Sequence, residues 1–329
     1  MRNPPPKYGS PKYVPANSLE SPRFAGVRTF MRLPHVVTTE DVDFVVVGIP
    51  WDDAVTHRPG ARFGPEAIRR ISIMLRPYNS SLDVKVFDYL SGVDYGDVPV
   101  VPGYIEDTYQ RIEDTFAPIA AAGVVPIAMG GDHSVTLAEL RALNKAHGPL
   151  ALVHIDAHLD TWDEYFGRKH NHGTMFRRAV EEGLVDTAHS VQIGIRGPGY
   201  DPGDIEGSRA LGYQVITMDE VQEIGLPEAV ARVQARVDGA PCFVSLDIDA
   251  VDPAYAPGTG TPEVGGFTGR EILTLVRGLR GLDLRGADVV EVLPVIDPAE
   301  ITAMLAANLM FELISLLALR KKDKEPGQS

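Results

Sequence analysis

The residues best suited to chemistry form a short cluster in the middle of the chain. Residues 152–160 read L-V-H-I-D-A-H-L-D, an apolar run that ends in Asp156, His158 and Asp160 at alternate positions. On an extended backbone, alternate side chains face the same side. Two carboxylates at such a short distance repel each other unless a cation lies between them. The spacing therefore indicates a metal site. The alternative is a strand end whose aspartates cap the next turn and whose histidine packs in the core.

Two further stretches combine an apolar run with polar residues in the same way. G-G-D-H-S at 130–134 places His133 after two glycines, and S-L-D-I-D-A-V-D-P at 245–253 places Asp247 and Asp249 after another apolar run. Taken alone, the first also reads as a helix N-cap loop, and either aspartate pattern also reads as a turn. Three such ends in one sheet are stronger evidence, because ligands of open α/β sheets bind beyond the carboxyl ends of the strands.

The charges of these candidate ligands favour two metal ions over one. Their four carboxylates carry four negative charges. Two divalent cations would bring the net charge of the site to zero, whereas one would leave it at −2, which is costly in a buried site. Carboxylate and imidazole ligands without thiolate suit Mn²⁺, with Ni²⁺, Co²⁺ or Zn²⁺ as other occupants. Two metals roughly 3.5–4 Å apart would generate hydroxide near neutral pH. The candidate metal ligands are His133, Asp156, His158, Asp160, Asp247 and Asp249.

Strands and helices that alternate along the chain would position these residues. Strands are predicted at 43–50, 85–89, 124–129, 150–156, 190–195, 213–217, 242–248 and 287–293. Helices are predicted from Pro65 and at 106–122, 135–146, 173–183, 226–237, 268–280 and 298–320. Such alternation requires crossover connections, which produce a mostly parallel sheet covered on both faces. The sequence therefore predicts a single three-layer α/β/α domain with about eight strands. The apolar run 301–319, interrupted by Asn308 and Glu312, predicts a buried helix rather than a membrane span.

Composition limits the classes of function. The chain has 329 residues and a net charge of −14, which argues against a nucleic-acid or anionic-membrane surface and is compatible with a cationic substrate. Cys242 is the single cysteine, and the N-terminus lacks the apolar segment of a secretory signal, so we expect a cytoplasmic protein. We expect a proline-rich arm at 1–22, a catalytic domain at 23–320 and a charged tail at 321–329. The absence of glycine-rich phosphate-binding motifs argues against nucleotide binding.

In combination, these motifs resemble those of the ureohydrolases, the arginase/agmatinase family. The resemblance runs from about residue 23 to 319 and includes A-P-G-T-G-T-P-E-V-G-G at 256–266. The agmatinase branch, which includes hydrolases of guanidino acids, looks closest, because R-P-G-A-R-F-G-P at 58–65, H-G-T-M-F at 172–176 and E-I-T-A at 300–303 all resemble that branch. The resemblance implies an arginase-like fold and a homo-oligomer, commonly a trimer or hexamer.

Carried over residue by residue, the resemblance makes the six candidate ligands a binuclear manganese centre. It implies that Glu291 receives the substrate guanidinium and that His172 shuttles protons. On its own, a carboxylate that ends an apolar strand needs a partner, either a substrate cation or a structural arginine, and His172 reads as a surface or cap histidine. The implied reaction is attack by hydroxide on the guanidinium carbon. Asp160 would help to move the proton of the hydroxide and His172 would protonate the leaving amine, which yields urea and an amine.

The substrate stays open at this stage. Residues 161–171, T-W-D-E-Y-F-G-R-K-H-N, do not resemble the segment with which true arginases bind arginine. Trp162 could line the pocket. The acidic residues of this stretch could face an ammonium and the basic ones a carboxylate, or all four could be solvated; they are Asp163, Glu164, Arg168 and Lys169. We expect an agmatine-like guanidino substrate. The alternatives are 4-guanidinobutyrate, 3-guanidinopropionate or another unusual guanidine, and, as a different class, a catalytically silent regulatory subunit.

Overall fold

A parallel sheet of eight strands forms the centre of the fold in the computed structural model, which describes residues 11–324. Its strands are β1 (Phe44–Gly48), β4 (Gly92–Asp97), β5 (Val125–Met129), β6 (Ala151–Ile155), β7 (Val191–Ile195), β8 (Gln214–Thr217), β9 (Pro241–Asp247) and β10 (Asp283–Val290). Their spatial order is β4-β1-β5-β10-β9-β6-β7-β8, and every neighbouring pair is parallel. A separate antiparallel pair consists of β2 (Tyr78–Asn79) and β3 (Val84–Lys85).

Helices cover both faces of the sheet. They are α1 (Gly64–Ser72), α2 (Ile105–Ala121), α3 (Thr136–His147), α4 (Met175–Glu181), α5 (Asp204–Ala210), α6 (Met218–Ile224), α7 (Leu226–Val237), α8 (Gly269–Gly278) and α9 (Ile301–Lys324). Alternate residues of β1 and β6 enter two separate hydrophobic cores, one shared with α1, α7, α8 and α9 and the other with α2, α3 and α4. The predicted α/β domain with a mostly parallel, eight-stranded sheet is confirmed.

The ends of two helices show why these segments are helical. The α1 helix begins with Pro65 in its first turn, where a missing N–H costs no hydrogen bond. At the start of α8, Thr268 accepts a hydrogen bond from the Glu271 amide at 3.2 Å, and the Glu271 side chain accepts one from the Thr268 amide at 2.8 Å. This capping box satisfies two backbone donors that would otherwise lack partners.

One predicted strand is shorter than expected and lies outside the main sheet, and one strand of the main sheet was missed. The strand expected at 85–89 is limited to β3, which a 3₁₀ turn follows directly at Val86–Asp88. The eighth strand of the main sheet is instead β4, G-V-D-Y-G-D, which is the last strand on its side of the sheet and pairs with β1; on its outer side a single bridge joins Asp94 to His35. Glycine and aspartate are depleted in strands, so its composition carried no strand signal. The short polar helices α5 and α6 were missed as well.

The final helix is a core element. By length and composition, the segment Pro298–Lys324 could cross a membrane, with a mean hydropathy of 1.8, but 72% of its most apolar window is buried inside the fold. Its buried Glu312 accepts hydrogen bonds from Arg277 at 2.5 Å and Asn79 at 2.8 Å. The prediction of a buried helix is therefore confirmed.

Part of the predicted N-terminal arm contacts the sheet of its own chain. The Tyr13 carbonyl accepts a hydrogen bond from the Gly92 amide at 3.0 Å, and its amide donates to the Ser91 hydroxyl at 3.0 Å. These bonds occupy the start of the edge strand β4. Residues 1–10 of the predicted arm and 325–329 of the predicted tail lie outside the described residues.

The strand order brings the predicted site together. Four central strands, β5, β10, β9 and β6, are consecutive neighbours in the sheet. Along the chain, His133 follows β5, Glu291 follows β10 and Asp156 follows β6. Asp247 is the last residue of β9, and Asp249 lies two residues after it. Because parallel strands end at the same edge, all of these side chains meet at one edge of the sheet.

Candidate active site and metal cluster

His133 lies at the centre of a buried group of carboxylates. Its Nδ1 is 3.1 Å from Asp156 Oδ2, 3.0 Å from Asp160 Oδ2 and 3.3 Å from Asp247 Oδ2. None of these contacts has hydrogen-bond geometry, so this buried nitrogen lacks a hydrogen-bond partner among residues 11–324. A nitrogen lone pair and three carboxylates directed at the same place are the donor set of a divalent cation.

The tight turn before His133 depends on glycine. A Cβ atom on Gly131 would lie 1.6 Å from the carbonyl oxygen of Trp51, so no other residue fits there. The same close approach brings the Asp132 amide within 2.8 Å of the Trp51 carbonyl. The two-glycine motif therefore presses the loop against the neighbouring strand end and places His133 inside the edge of the sheet.

A second group of ligand atoms adjoins the first. His158 Nδ1 lies 3.1 Å from Asp249 Oδ2 and 3.4 Å from Asp156 Oδ1. Asp156 belongs to both groups, since its Oδ2 faces His133 and its Oδ1 faces His158. All six predicted ligands thus lie together at this edge. The first group also contains His154, which the sequence analysis did not single out.

The electrostatics of the cluster fit bound cations. Burial raises the pKa of Asp247 well above its usual range, and the charges of Asp249 and Asp156 raise it further. Burial also raises the pKa of Asp249 to about 6, although His158 opposes this shift. Carboxylates packed this closely need a positive charge to stay ionised. Divalent cations would provide that charge, so the residues present fit a metal centre.

Glu291 has a buried carboxylate oxygen without a hydrogen-bond partner among the described residues. It follows β10, is 1% exposed, and has a left-handed backbone with φ of 62°. Its Oε1 accepts hydrogen bonds from the His133 amide at 2.9 Å and from His172 Nδ1 at 2.9 Å, whereas its buried Oε2 has no partner within residues 11–324. Asp160 has a similar left-handed backbone, with φ of 53°. Such strained residues concentrate at functional sites.

His172 links Glu291 to the cavity wall. Its Nε2 lies 2.9 Å from the Thr56 amide, which donates to it, and 2.8 Å from the Thr56 hydroxyl. Because Nε2 accepts this bond, Nδ1 carries the ring proton and donates it to Glu291. Burial lowers the pKa of His172, but the hydrogen bond and charge of Glu291 outweigh this effect and raise its pKa above the usual range.

A cavity of about 620 Å³ opens above these residues. Four predicted site residues besides Trp162 line its base: His158, Asp160, His172 and Asp247. One wall is aromatic: the ring of Trp162 lies 5.7 Å from that of Tyr165 and 5.9 Å from that of Tyr200. The predicted position of Trp162 beside the cavity is therefore observed. Tyr165 lies in the stretch already singled out, but Tyr200 comes from the loop after β7, where the sequence carried no signal.

The four charged side chains of residues 161–171 that could have faced the substrate do not line the cavity. Asp163 instead accepts a hydrogen bond from Arg178 at 2.7 Å and lies 3.8 Å from Lys169. All four charged residues of that stretch are exposed, as the solvated alternative predicted. The polar and charged side chains that do line the rim are those of His57, Arg58 and Glu263. Arg58 and Glu263 lie inside motifs noted in the sequence but were not assigned a role.

A parallel α/β sheet with a His/Asp cluster at its carboxyl edge is an arrangement suited to a metal-dependent hydrolase. Residues 42–315 match the arginase family, and the chain belongs to that family. It is 48% identical to guanidinopropionase and 44% identical to guanidinobutyrase, both of Pseudomonas aeruginosa; the alignments cover 92% and 93% of this chain and 96% and 97% of the relatives. The crystal structure of a hypothetical agmatinase from Burkholderia thailandensis superposes with a TM-score of 0.85 at 40% identity, over 91% of this chain and 93% of that one.

Family membership confirms the predicted class of reaction. The chain is a hydrolase of carbon–nitrogen bonds in linear amidines, and it converts a guanidino group to urea and an amine. The arginase family also implies a binuclear metal site, for which the two adjoining groups of ligand atoms offer a place.

Proposed function

We propose that this chain hydrolyses a short guanidino acid at a centre of two Mn²⁺ ions, with Glu291 holding the guanidinium. The observation that carries the proposal is that Glu291 Oε2 has no hydrogen-bond partner within residues 11–324, although the residue is only 1% exposed and lies beside the candidate metal ligands. Leaving a buried carboxylate oxygen without a partner costs several kcal/mol unless a ligand satisfies it. A guanidinium offers planar N–H donors that match a carboxylate.

The six predicted ligands would hold the metal ions: His133, Asp156, His158, Asp160, Asp247 and Asp249. Oxygen and imidazole donors favour Mn²⁺, with Ni²⁺ and Co²⁺ as other occupants. When bound, two such cations lower the pKa of a water molecule and polarise the carbon under attack. Asp156 supplies one carboxylate oxygen to each group of ligands, which suits it to a position between the two ions.

Protein groups would move the protons of the reaction. One water adds to the guanidinium carbon, the bond from that carbon to the substituted nitrogen breaks, and the products are urea and a protonated amine. Asp160, whose Oδ2 faces the cluster, would accept the proton released by the attacking water. His172 would supply a proton to the leaving nitrogen, since Glu291 raises the pKa of His172 despite burial, which lowers it.

The rim of the cavity favours a negative distal group. Within the described part of the chain, the side chains of Arg58 and His57 have no hydrogen-bond or ion-pair partner. The carboxylate of Glu263, in contrast, lies 4.0 Å from His158 Nε2. An arginine free of ion pairs is well suited to bind a carboxylate in bidentate geometry. Relatives named guanidinopropionase and guanidinobutyrase support a substrate of this class.

An agmatine-like substrate is the second candidate, and one observation favours it. Glu263 is a carboxylate on the cavity rim, and its partner, His158, belongs to the proposed metal ligands. If His158 binds a metal through Nδ1, its Nε2 carries the ring proton and faces Glu263 Oε1 at 4.0 Å, and the other carboxylate oxygen of Glu263 can accept a hydrogen bond from a terminal ammonium. The two candidates share the guanidino end and differ only in the charge that the rim binds.

Urea release by the Mn²⁺-loaded chain tests the proposal. The panel is 3-guanidinopropionate, 4-guanidinobutyrate, agmatine and arginine, with a Ni²⁺-loaded sample in parallel. We expect a kcat/KM for one guanidino acid at least about 100-fold above agmatine, which corresponds to ~2.7 kcal/mol. A preference for agmatine would transfer the proposal to the second candidate. Silence on all four compounds with two metals bound would overturn it and point to a regulatory subunit or an unusual guanidine.

We also propose a cytoplasmic homo-oligomer, trimeric or hexameric, with no nucleic-acid or membrane partner. Large apolar side chains near the N-terminal arm support subunit contacts, since Leu19 is 96% exposed, Val27 81% and Phe24 78%. The net charge of −14 opposes binding to polyanions. Native mass spectrometry should give three or six chains, and a monomer would contradict this part of the proposal.

A further inference from the structure

A buried chain of hydrogen bonds leads to Asp156, one of the candidate metal ligands. It joins Ser208 of α5, Gln192 of β7, His154 of β6 and Asp156, all 0% exposed. The Ser208 hydroxyl contacts Gln192 Oε1, Gln192 Nε2 lies 2.9 Å from His154 Nδ1, and His154 Nε2 lies 2.7 Å from Asp156 Oδ2. Gln192 and His154 are direct partners on adjacent strands, so the sheet register aligns the chain.

The direction of these hydrogen bonds is determined by a carbonyl group. Gln192 Nε2 also lies 2.6 Å from the Leu159 carbonyl oxygen, which can only accept. The amide nitrogen must therefore face Leu159, and its second N–H is donated to His154 Nδ1. That ring nitrogen accepts, so the ring proton is on Nε2 and is donated to Asp156 Oδ2.

We propose that His154 is a positioning residue that holds Asp156 in place as the carboxylate shared by the two metal positions. This inference rests on the proposed metal centre. Asp156 Oδ2 receives the His154 proton and faces His133 at 3.1 Å. Its Oδ1 accepts a hydrogen bond from the His158 amide at 2.6 Å and faces the His158 ring. With both oxygens held in this way, the carboxylate cannot rotate, and one oxygen stays directed to each group of ligands.

His154 acts through Asp156 rather than as a ligand of its own. Binding a metal through Nε2 would require its proton to move to Nδ1, where the Gln192 N–H already points. The ring also has little room to turn, because it packs 4.4 Å from the Phe176 ring and 5.3 Å from the His133 ring. Sequence alone would place His154 in the core as an ordinary strand residue, since it lies two positions before Asp156 in an apolar run.

Two variants that differ by one methylene group test this role. In His154→Gln, the side-chain amide can reach the position of the ring Nε2 and donate to Asp156; in His154→Asn, the shorter amide cannot. We measure the affinity for each of two Mn²⁺ ions by calorimetric titration of the chelator-stripped chain. His154→Asn should weaken one of the two affinities by about 10–100-fold, and His154→Gln should restore most of that loss.

A spectroscopic readout separates positioning from a general loss of stability. With two equivalents of Mn²⁺ added, the paramagnetic resonance spectrum of the unmodified chain should show an exchange-coupled pair, and that of His154→Asn should show uncoupled ions. The melting temperatures of the metal-free variants should agree with each other. Gln192→Leu, which removes the donor that orients the His154 ring, should weaken the same Mn²⁺ affinity by a smaller factor.

Several outcomes would overturn the inference. One is a His154→Asn variant that binds both Mn²⁺ ions as tightly as the unmodified chain. Another is a His154→Gln variant as impaired as His154→Asn, which would indicate that the ring nitrogen itself binds metal. An unmodified chain that binds no pair of Mn²⁺ ions would instead remove the proposed metal centre, and this inference with it.

Discussion

Glu291 and His172 share a hydrogen bond of 2.9 Å, and it occupies only one of the two Glu291 carboxylate oxygens. The proposed guanidinium-binding group is thereby joined to the proposed proton donor. The same oxygen also accepts the amide proton of His133, so the candidate metal ligand His133, the Glu291 carboxylate and His172 are connected through a single atom. A substitution at any one of these three residues should therefore alter the hydrogen bonding of the other two.

Glu291→Gln should abolish most activity while the fold stays intact. The amide keeps the size of the side chain but loses the charge that would hold the guanidinium, so kcat/KM should fall by at least about 100-fold, or ~2.7 kcal/mol. Urea release measures this effect, and metal analysis should still find two Mn²⁺ ions per chain. Activity within about fivefold of the unmodified chain would exclude Glu291 as the guanidinium-binding group.

His172→Asn should lower kcat by about 10²-fold or more, because it removes a general acid. The pH dependence of kcat should follow the protonation of His172. Burial lowers the pKa of His172, but Glu291 raises it above the usual value, so the protonated donor is present at low pH and is lost as the pH rises through that raised pKa. In the variant, this alkaline decline of kcat should disappear. The neighbouring His170 pairs with Glu106 at 2.6 Å outside the cavity, so His170→Asn is a matched control that should leave the profile unchanged.

Arg58→Gln should reveal which end of the substrate the rim binds. If Arg58 binds a carboxylate, the KM for the preferred guanidino acid should rise by about 10-fold or more, while the KM for agmatine should stay the same or fall. Arg168→Gln is the control, since that arginine is exposed on the loop and does not line the cavity. Equal changes in KM for both substrates would contradict a role in binding charge.

Asp283→Asn should cost stability in a way that depends on pH. Burial raises the pKa of Asp283, but ion pairs with Arg320 and with Arg285, at 2.7 Å for the latter, outweigh this effect and hold its pKa below the usual value. The ion pairs should therefore contribute about 1 kcal/mol above the unfolded-state pKa of ~3.9, after allowance for partial solvent screening. This contribution is lost as the pH falls through the lower folded-state pKa.

Urea unfolding of the metal-free chain between pH 7 and pH 3 measures that difference. The gap in unfolding free energy between the unmodified chain and Asp283→Asn should be constant near neutral pH and close at the acid end. Asp88→Asn serves as the control, because Asp88 pairs with Lys85 at 2.8 Å on the exposed surface and should change stability little at any pH. A gap that widens as the pH falls would contradict the sign of the Asp283 shift.

The amino-acid sequence by itself determined the class of fold and the chemistry of the ligands. Apolar runs such as 150–156 and the polar residues directly after them are local patterns, and a local pattern suffices to predict a buried strand with ligands at its carboxyl end. The six candidate ligands could be chosen for the same reason, because each lies within a few residues of a strand end. The resemblance to ureohydrolases added Glu291 and His172, which local spacing alone left ambiguous.

Only the tertiary structure decided which residues meet. The order β5-β10-β9-β6 makes neighbours of strands that are far apart in the chain, and strand order depends on long-range pairing that no local pattern encodes. The same holds for Arg178, which holds Asp163 away from the cavity, and for Tyr200, which a distant loop brings to its wall. His154 is the sharpest case: its type and burial are readable in the sequence, but its bond to Asp156 is directed by Gln192, a partner on the adjacent strand.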